Sequence, residues 1–395
     1  MTQSNAQDVL LKYQIRGGEN PDLEGEEFEK EIANIAIQQF LFNPHYAKKG
    51  LRYVYNLNHF HRFYCAREEK ILNYLYTKRP YPSYLEIENT TLCNLRCNIC
   101  ENPYWKHEKR ANMTYEKFLE LMENFPNLMW IGLTGIGQNL LNPDYKKMLQ
   151  YVMDKGMFCE IFDNFYMFDD EILEMFVRLQ FDKVYCSLDA ATKETYKNLR
   201  VGSDWDKVIS NVKKLDEIKK KNNSHYPELF FHYIITSENI HEVEQYVDFI
   251  HSLGVEVQYI QFTRMLHDFD EVKHLYVEVP DDLKQRVIER GEKLGINIGF
   301  NVNAQGDANK APMKYCSVWI QPFIFFDGTV VPCCSLNEQN DRDWQRETSL
   351  GNAFDKGFRE VWYGDKYTEM LNGIRKGECP TSCDRCVLFK KGETK

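Results

Sequence analysis

A chain of 395 residues, 43% hydrophobic and 27% charged, is long enough for two or three domains and apolar enough to bury a core. Its formal net charge of −10 argues against the broad basic face that nucleic-acid binding demands. No apolar run reaches the roughly 20 residues of a membrane-spanning helix.

The first residues, Met1 to Asp8, lack a basic segment followed by an apolar one, so a cytoplasmic, reducing location is expected. In that setting the 12 cysteines read as metal ligands and free thiols rather than disulfides. Residues 1–82 read as a helical extension, because Phe28 to Phe42 and Asn58 to Tyr76 have helical spacing and no catalytic motif occurs among them. Arg79-Pro80-Tyr81-Pro82 closes it as a linker, since neither proline fits inside a helix.

From Ser83 onward strands alternate with helices. The strands are expected at Tyr84–Glu88, Met129–Thr134, Phe158–Phe162, Lys183–Leu188, Leu229–Ile235 and Val255–Phe262. Amphipathic runs separate them at Thr114–Asn124, Pro143–Lys155, Asp169–Leu179, Asp204–Lys221 and Ile240–Leu253. Such alternation predicts an α/β fold with parallel strands and helices outside. An open doubly wound sheet and a partial barrel fit the pattern equally. Period-2 alternation sends Tyr84, Glu86 and Glu88, and Tyr185, Ser187 and Asp189, to the face away from the helices. Buried carboxylates there need a partner, and Arg96, inside the loop that follows the first strand, is the expected ion-pair partner for one of them.

Directly after the first strand, Cys93, Cys97 and Cys100 are spaced C-x3-C-x2-C. Three thiols on one short loop can face one metal centre and leave a coordination position open, as catalytic centres do; the alternative is a zinc knuckle with a distant fourth ligand. After the second strand, Thr134-Gly135-Ile136-Gly137-Gln138-Asn139 is a turn whose glycines permit close backbone approach. Near the end, Cys316 and Cys333-Cys334 flank two strand-like runs joined through Asp327-Gly328, which reads as a hairpin. Cys379 and the pair Cys383 and Cys386 follow, and a four-thiolate zinc site is the generic reading of such a set.

The loop, its place after a first strand and the six β–α units together resemble the radical S-adenosylmethionine (radical SAM) enzymes. The resemblance implies a partial (β/α)6 TIM-like barrel in which Cys93, Cys97 and Cys100 hold a 4Fe–4S cluster chelated by SAM at its fourth iron. The glycine turn resembles the family's Gly-Gly-Glu-Pro motif, with Gln138 at the acidic position and Asn139 at the proline. SAM contacts are therefore implied for Gly135, Gly137 and Gln138, for Ser187 and Arg200 near its carboxylate, and by position for Tyr259 or Gln261 near its adenine.

The spacing C-x11-G-x4-C followed by C-x2-C resembles the SPASM/twitch domain, a small α+β iron–sulfur unit. One auxiliary 4Fe–4S cluster on Cys316, Cys333, Cys383 and Cys386 is implied, with Cys334 and Cys379 as alternates. The expected domains are 1–82, 83–308 and 309–395.

By the same resemblance SAM is split reductively into methionine and a 5′-deoxyadenosyl radical, which takes a hydrogen from the substrate. The expected outcome is oxidation of a small molecule in a biosynthetic pathway. Radical modification of a peptide or protein and redox-neutral epimerisation are the alternatives, and a non-catalytic iron–sulfur or zinc protein is the rival class. An external one-electron reductant such as flavodoxin or ferredoxin is implied.

Overall fold

The computed structural model describes residues 76–384, apart from 266–269, 302–315, 335–341 and the single positions 78, 80, 83, 106, 127, 129 and 317. Most of the expected helical extension, Cys65 and Cys386 lie outside the described residues.

The β–α alternation is realised as β1 (Tyr84–Ile87), α1 (Tyr115–Glu123), β2 (Trp130–Leu133), α2 (Tyr145–Asp154), β3 (Phe158–Asp163) and α3 (Asp170–Arg178). It continues as β4 (Lys183–Ser187), α4 (Lys193–Leu199), α5 (Trp205–Lys221), β5 (Glu228–Ile235), α6 (Val243–Ser252) and β6 (Tyr259–Arg264). The helices start where the sequence supplies a cap. Thr114, Asp169, Thr192 and Asp204 each accept from the backbone N–H three residues on, a bond that contributes about 1 kcal/mol at a helix start.

On β5 the buried set is Leu229, Phe231, Tyr233 and Ile235, facing the helices, while the alternate residues are partly exposed. Cys159 and Cys186 are fully buried among these apolar contacts, as expected of isolated cysteines.

Two features depart from the expected layout. A seventh strand, β7 (Ile298–Asn301), follows helix α7 (Asp281–Leu294) and pairs parallel with β6, which itself begins four residues later than expected. The hairpin is present as β8 (Phe323–Ile324) and β9 (Thr329–Val331), and it continues the main sheet. β8 runs parallel to β1, with Glu86 opposite Phe323 and Ile87 opposite Ile324. With β10 (Gly351–Asn352) the strand order is β10-β9-β8-β1-β2-β3-β4-β5-β6-β7, an open ten-stranded sheet. Helices α8 (Arg342–Glu347), α9 (Ala353–Lys356), α10 (Phe358–Trp362) and α11 (Asp365–Lys376) complete the C-terminal unit.

The sheet face away from the helices is filled at its lower end. Phe162 stacks on Tyr185 with centroids 4.1 Å apart, Tyr185 lies 4.8 Å from Phe230, and Phe230 lies 6.0 Å from Tyr259. Below them the Tyr84 hydroxyl sits 2.5 Å from Glu86 Oε1 and 3.2 Å from Glu160 Oε1, which accounts for two of the interior carboxylates. This filling leaves the C-terminal ends of the strands as the place where a ligand can approach, as in other parallel α/β sheets.

β1 is short and carries unpaired edge groups unless β8 covers it, and an uncovered apolar edge templates association. A chain truncated after residue 308 should therefore elute from a sizing column as larger species than the full chain. Identical elution would show that β8 is dispensable for masking that edge.

Candidate active site

The cysteine loop is fixed at several points by main-chain bonds. Gln138 N–H donates to Leu92 O (2.7 Å), Arg96 N–H to Val201 O (2.9 Å) and Asn98 N–H to Leu199 O (3.0 Å). Beyond the last cysteine, Asn102 donates to Thr91 O (3.0 Å), and Arg110 donates to Thr91 O, Asn102 Oδ1 and Asn102 O. The two limbs of the loop are thereby tied together.

The first contact needs Gly137. A Cβ on that residue would lie 2.3 Å from Thr90 O and 2.7 Å from Leu92 O, so only glycine lets the turn lie against the loop. Gly135 is similarly tight, with an added Cβ 2.7 Å from Glu88 Cγ.

The thiols sit in an environment suited to a metal centre. Cys97 is buried, while Cys93 and Cys100 are partly exposed. The N–H of Leu95 reaches Cys93 Sγ (3.5 Å), that of Asn102 reaches Cys100 Sγ (3.4 Å), and Arg200 Nη1 lies 3.9 Å from Cys97 Sγ. Burial raises all three pKa values, Cys97 to about 11, with Arg200 pulling it back. Thiols held protonated in this way become ligands when a metal displaces the proton. Among the described residues no group of three or more His, Cys, Asp or Glu could hold a single metal ion. A 4Fe–4S cluster takes one thiolate per iron, so its ligands need not converge on one point. Three thiols on one short loop suit such a cluster.

Arg200 is paired with Asp189, which is fully buried and also accepts from Ile234 N–H (2.8 Å). Ser187 lies beside His232 in the β4–β5 register. His232 bonds Thr263 Oγ1 (2.9 Å), and burial lowers its pKa to about 4, so it is neutral at pH 7. Tyr259 and Gln261 are on β6, with Gln261 opposite His232. The expected partner Arg96 is exposed and serves none of the interior carboxylates: Asp189 takes Arg200, and Glu88 takes Arg342 from the C-terminal unit. The exposed side chain keeps its hydration, whereas the two buried cations have no such alternative.

Gln138 is buried, and its amide donates to Asp163 Oδ1 (3.2 Å) at the end of β3. Asp163 also accepts from Phe165 N–H (2.8 Å), while its Oδ2 is buried without a hydrogen-bond partner. Burial raises the Asp163 pKa to about 7, against the opposing effect of Gln138 and two backbone N–H groups. The carboxylate absent from position 138 thus stands immediately behind it. Its only sequence signal was an acid at the C-terminal end of a strand, where α/β sites gather.

In the C-terminal unit, Cys316, Cys333, Cys334 and Cys379 are partly buried and Cys383 is buried. Tyr76 hydrogen-bonds Cys316 O (2.6 Å), and Cys316 and Cys383 both add to the rise that burial causes in its pKa. Cys333 and Cys383 do the same to Tyr367, so Cys316, Cys333 and Cys383 gather around these two tyrosines. Cys379 packs against the same apolar cluster as Cys316 and Cys383, whereas Cys333 and Cys334 pack with Phe323 and Phe325. The placement keeps both alternates, Cys334 and Cys379, in the neighbourhood.

The structure thus joins a mostly parallel α/β sheet, with a three-cysteine loop after its first strand, to a C-terminal unit that carries further cysteines. The chain belongs to the radical SAM superfamily, whose profile matches residues 87–250, and an iron–sulfur cluster-binding domain of the SPASM type matches residues 316–387. It follows that 4Fe–4S and SAM are its cofactors, with auxiliary iron–sulfur in the C-terminal domain.

Among curated proteins, a tungsten-containing aldehyde ferredoxin oxidoreductase cofactor-modifying protein of Pyrococcus furiosus is 26% identical over 342 residues, 77% of this chain and 87% of the relative. A GTP 3′,8-cyclase of Clostridium botulinum is 22% identical over 298 residues, 71% of this chain and 89% of the relative. Among solved structures, SuiB of Streptococcus suis bound to S-adenosylmethionine superimposes with a TM-score of 0.61 at 15% identity, over 91% of this chain and 88% of that one. That likeness is one of fold. Among the described residues no helix is long and apolar enough to cross a membrane.

Replacing Gly137 by Ala should push the turn off the loop and break the Gln138–Leu92 bond. In the metal-free protein, Cys93, Cys97 and Cys100 should then be alkylated by iodoacetamide several-fold faster, read by peptide mass spectrometry. Unchanged rates would mean that the loop keeps its shape without that contact.

Proposed function

We propose that Cys93, Cys97 and Cys100 hold the cluster that binds SAM, and that the chain oxidises a small molecule, a cofactor or cofactor precursor, by hydrogen-atom abstraction. The observation carrying this reading is the meeting of the cysteine loop, the glycine turn and the Gln138–Asp163 pair at the ends of β1, β2 and β3. The reduced cluster, when bound, supplies one electron that splits SAM and yields the radical that removes the substrate hydrogen. The chain's own residues bind, orient and shield.

Gly135 and Gly137, packed against Glu88 and the cysteine loop, hold the turn whose backbone receives the SAM methionyl group. Gln138, with Asp163 behind it, faces the SAM ammonium. Ser187 and Arg200 address its carboxylate, with Arg200 kept charged by Asp189, and Tyr259 or Gln261 borders the adenine. The aromatic stack Phe162–Tyr185–Phe230 closes the site from below and keeps water out, which protects a reactive species. Cys316, Cys333, Cys383 and Cys386 hold the auxiliary cluster, a place for the second electron of an oxidation. Flavodoxin or ferredoxin chemistry supplies the first.

Both curated relatives are named for work on a cofactor or a nucleotide, and each is covered over most of its length, which supports a small-molecule substrate. The peptide reading draws on one observation: SuiB bound to its precursor peptide SuiA is similar in fold, with a TM-score of 0.56.

After anaerobic reconstitution with iron and sulfide, dithionite and SAM should give 5′-deoxyadenosine, and Cys93→Ala, Cys97→Ala and Cys100→Ala should each reduce it to background. Cleavage at the normal rate in any of the three would contradict the ligand assignment. SAM affinity should rise as pH increases through about 7, because Asp163 then ionises opposite the ammonium. Asp163→Asn should bind weakly across that range. Gln138→Glu should not tighten binding, since two carboxyls 3.2 Å apart share one proton. Tighter binding in that variant would place the ammonium away from Asp163.

A further inference from the structure

Arg342 is the least expected cation in the molecule. It lies at the start of α8 in the C-terminal unit, 2% exposed, with its guanidinium 4.3 Å from the ring centre of Trp105 and 3.8 Å from that of Phe325. It pairs with Glu88, which is fully buried, and its Nε lies 3.5 Å from Glu108 Oε1. Arg346, one turn later, reaches both oxygens of Glu108 (2.7 and 3.1 Å) and pairs with Asp327 in the hairpin turn.

The positions of these partners are what matter. Glu88 directly follows β1, on the way into the cysteine loop, and it lies against Gly135 of the glycine turn. Trp105 and Glu108 follow the loop, just beyond Cys100. One side chain from the C-terminal unit therefore grips both limbs of the loop.

A guanidinium suits this place. Its flat faces stack on two rings while its edge meets two carboxylates, a combination that an ammonium cannot reproduce. A buried ion pair of this kind is weak evidence for stability, because removing two charges from water costs about as much as their attraction returns. Its value lies in fixing geometry, and losing one member strands the other charge.

We propose that Arg342 is a positioning residue through which the C-terminal iron–sulfur unit sets the conformation of the SAM-binding loop. Its ligand-directed effect is on the SAM pocket between the loop and the glycine turn. The inference rests on the reading that Cys93, Cys97 and Cys100 hold the SAM-binding cluster.

The test compares the reconstituted holoenzyme with Arg342→Met, Arg342→Lys, Glu88→Gln and the double variant Glu88→Gln/Arg342→Met. The measurements are SAM affinity, the change that SAM causes in the electron paramagnetic resonance spectrum of the reduced protein, iron per chain and melting temperature. Arg342→Met should weaken SAM binding about tenfold, the scale of an ordinary coupling between sites, and should broaden or abolish the SAM-induced spectral change. Arg342→Lys should restore only part of it. Glu88→Gln keeps Arg342 between its rings and cuts only the link to the loop, so it should move SAM affinity in the same direction. The double variant should bind SAM better than Arg342→Met, since no buried carboxylate is left unpaired.

SAM affinity and spectrum unchanged in both Arg342→Met and Glu88→Gln would overturn the proposal. A fall in melting temperature with no change in SAM affinity among the folded molecules would also overturn it, in favour of a purely structural role. If the wild-type protein shows no SAM-dependent spectral change, the cluster assignment fails instead. The two failures are thus distinguishable.

Discussion

Tyr84–Ile87 is a four-residue strand bonded on both edges, to Trp130–Leu133 on one side and to Phe323–Ile324 on the other, and the cysteine loop leaves from its end. Leu85 and Ile87 are fully buried towards the helices, each contributing about 1.5–3 kcal/mol of apolar burial. Tyr84 and Glu86 fill the opposite face, and Glu88 is taken by Arg342. With both edges and both faces committed, the strand end is a fixed platform for three thiols. The stretch from Glu88 to Tyr104 then needs few contacts of its own: the glycine turn, the end of α4 and the Asn102–Arg110 clasp are sufficient.

The same constraint joins the two cysteine constellations. Because β8 lies against β1 in one continuous sheet, the C-terminal unit is a lateral extension of the core. The hairpin places Cys333 a short step from β1, and α8 delivers Arg342 to the loop.

Much of this was legible in the sequence. The six strands and their helices follow from apolar periodicity and from the caps Thr114, Asp169 and Asp204, which are local signals. The three-thiol loop and the hairpin were equally local. The rest depends on long-range pairing. Ile298–Asn301 is four residues with a glycine at its second position, and only β6 beside it makes it a strand. No spacing rule links Glu88 to Arg342, 254 residues away, and the nearer Arg96 was the natural but mistaken choice. Asp163 was hidden for a related reason, since its importance lies in Gln138 standing before it and in an oxygen left without a partner.

The central claim is that SAM meets a cluster held by Cys93, Cys97 and Cys100. Electron–nuclear double resonance on the reduced, reconstituted protein with SAM labelled by 15N at the ammonium and 17O at the carboxylate tests it most directly. The account predicts hyperfine coupling of both nuclei to the cluster, lost when any one of the three cysteines is replaced and retained when Cys383 is replaced. A spectrum without coupling from either label, or coupling that survives loss of the loop cysteines, would contradict it.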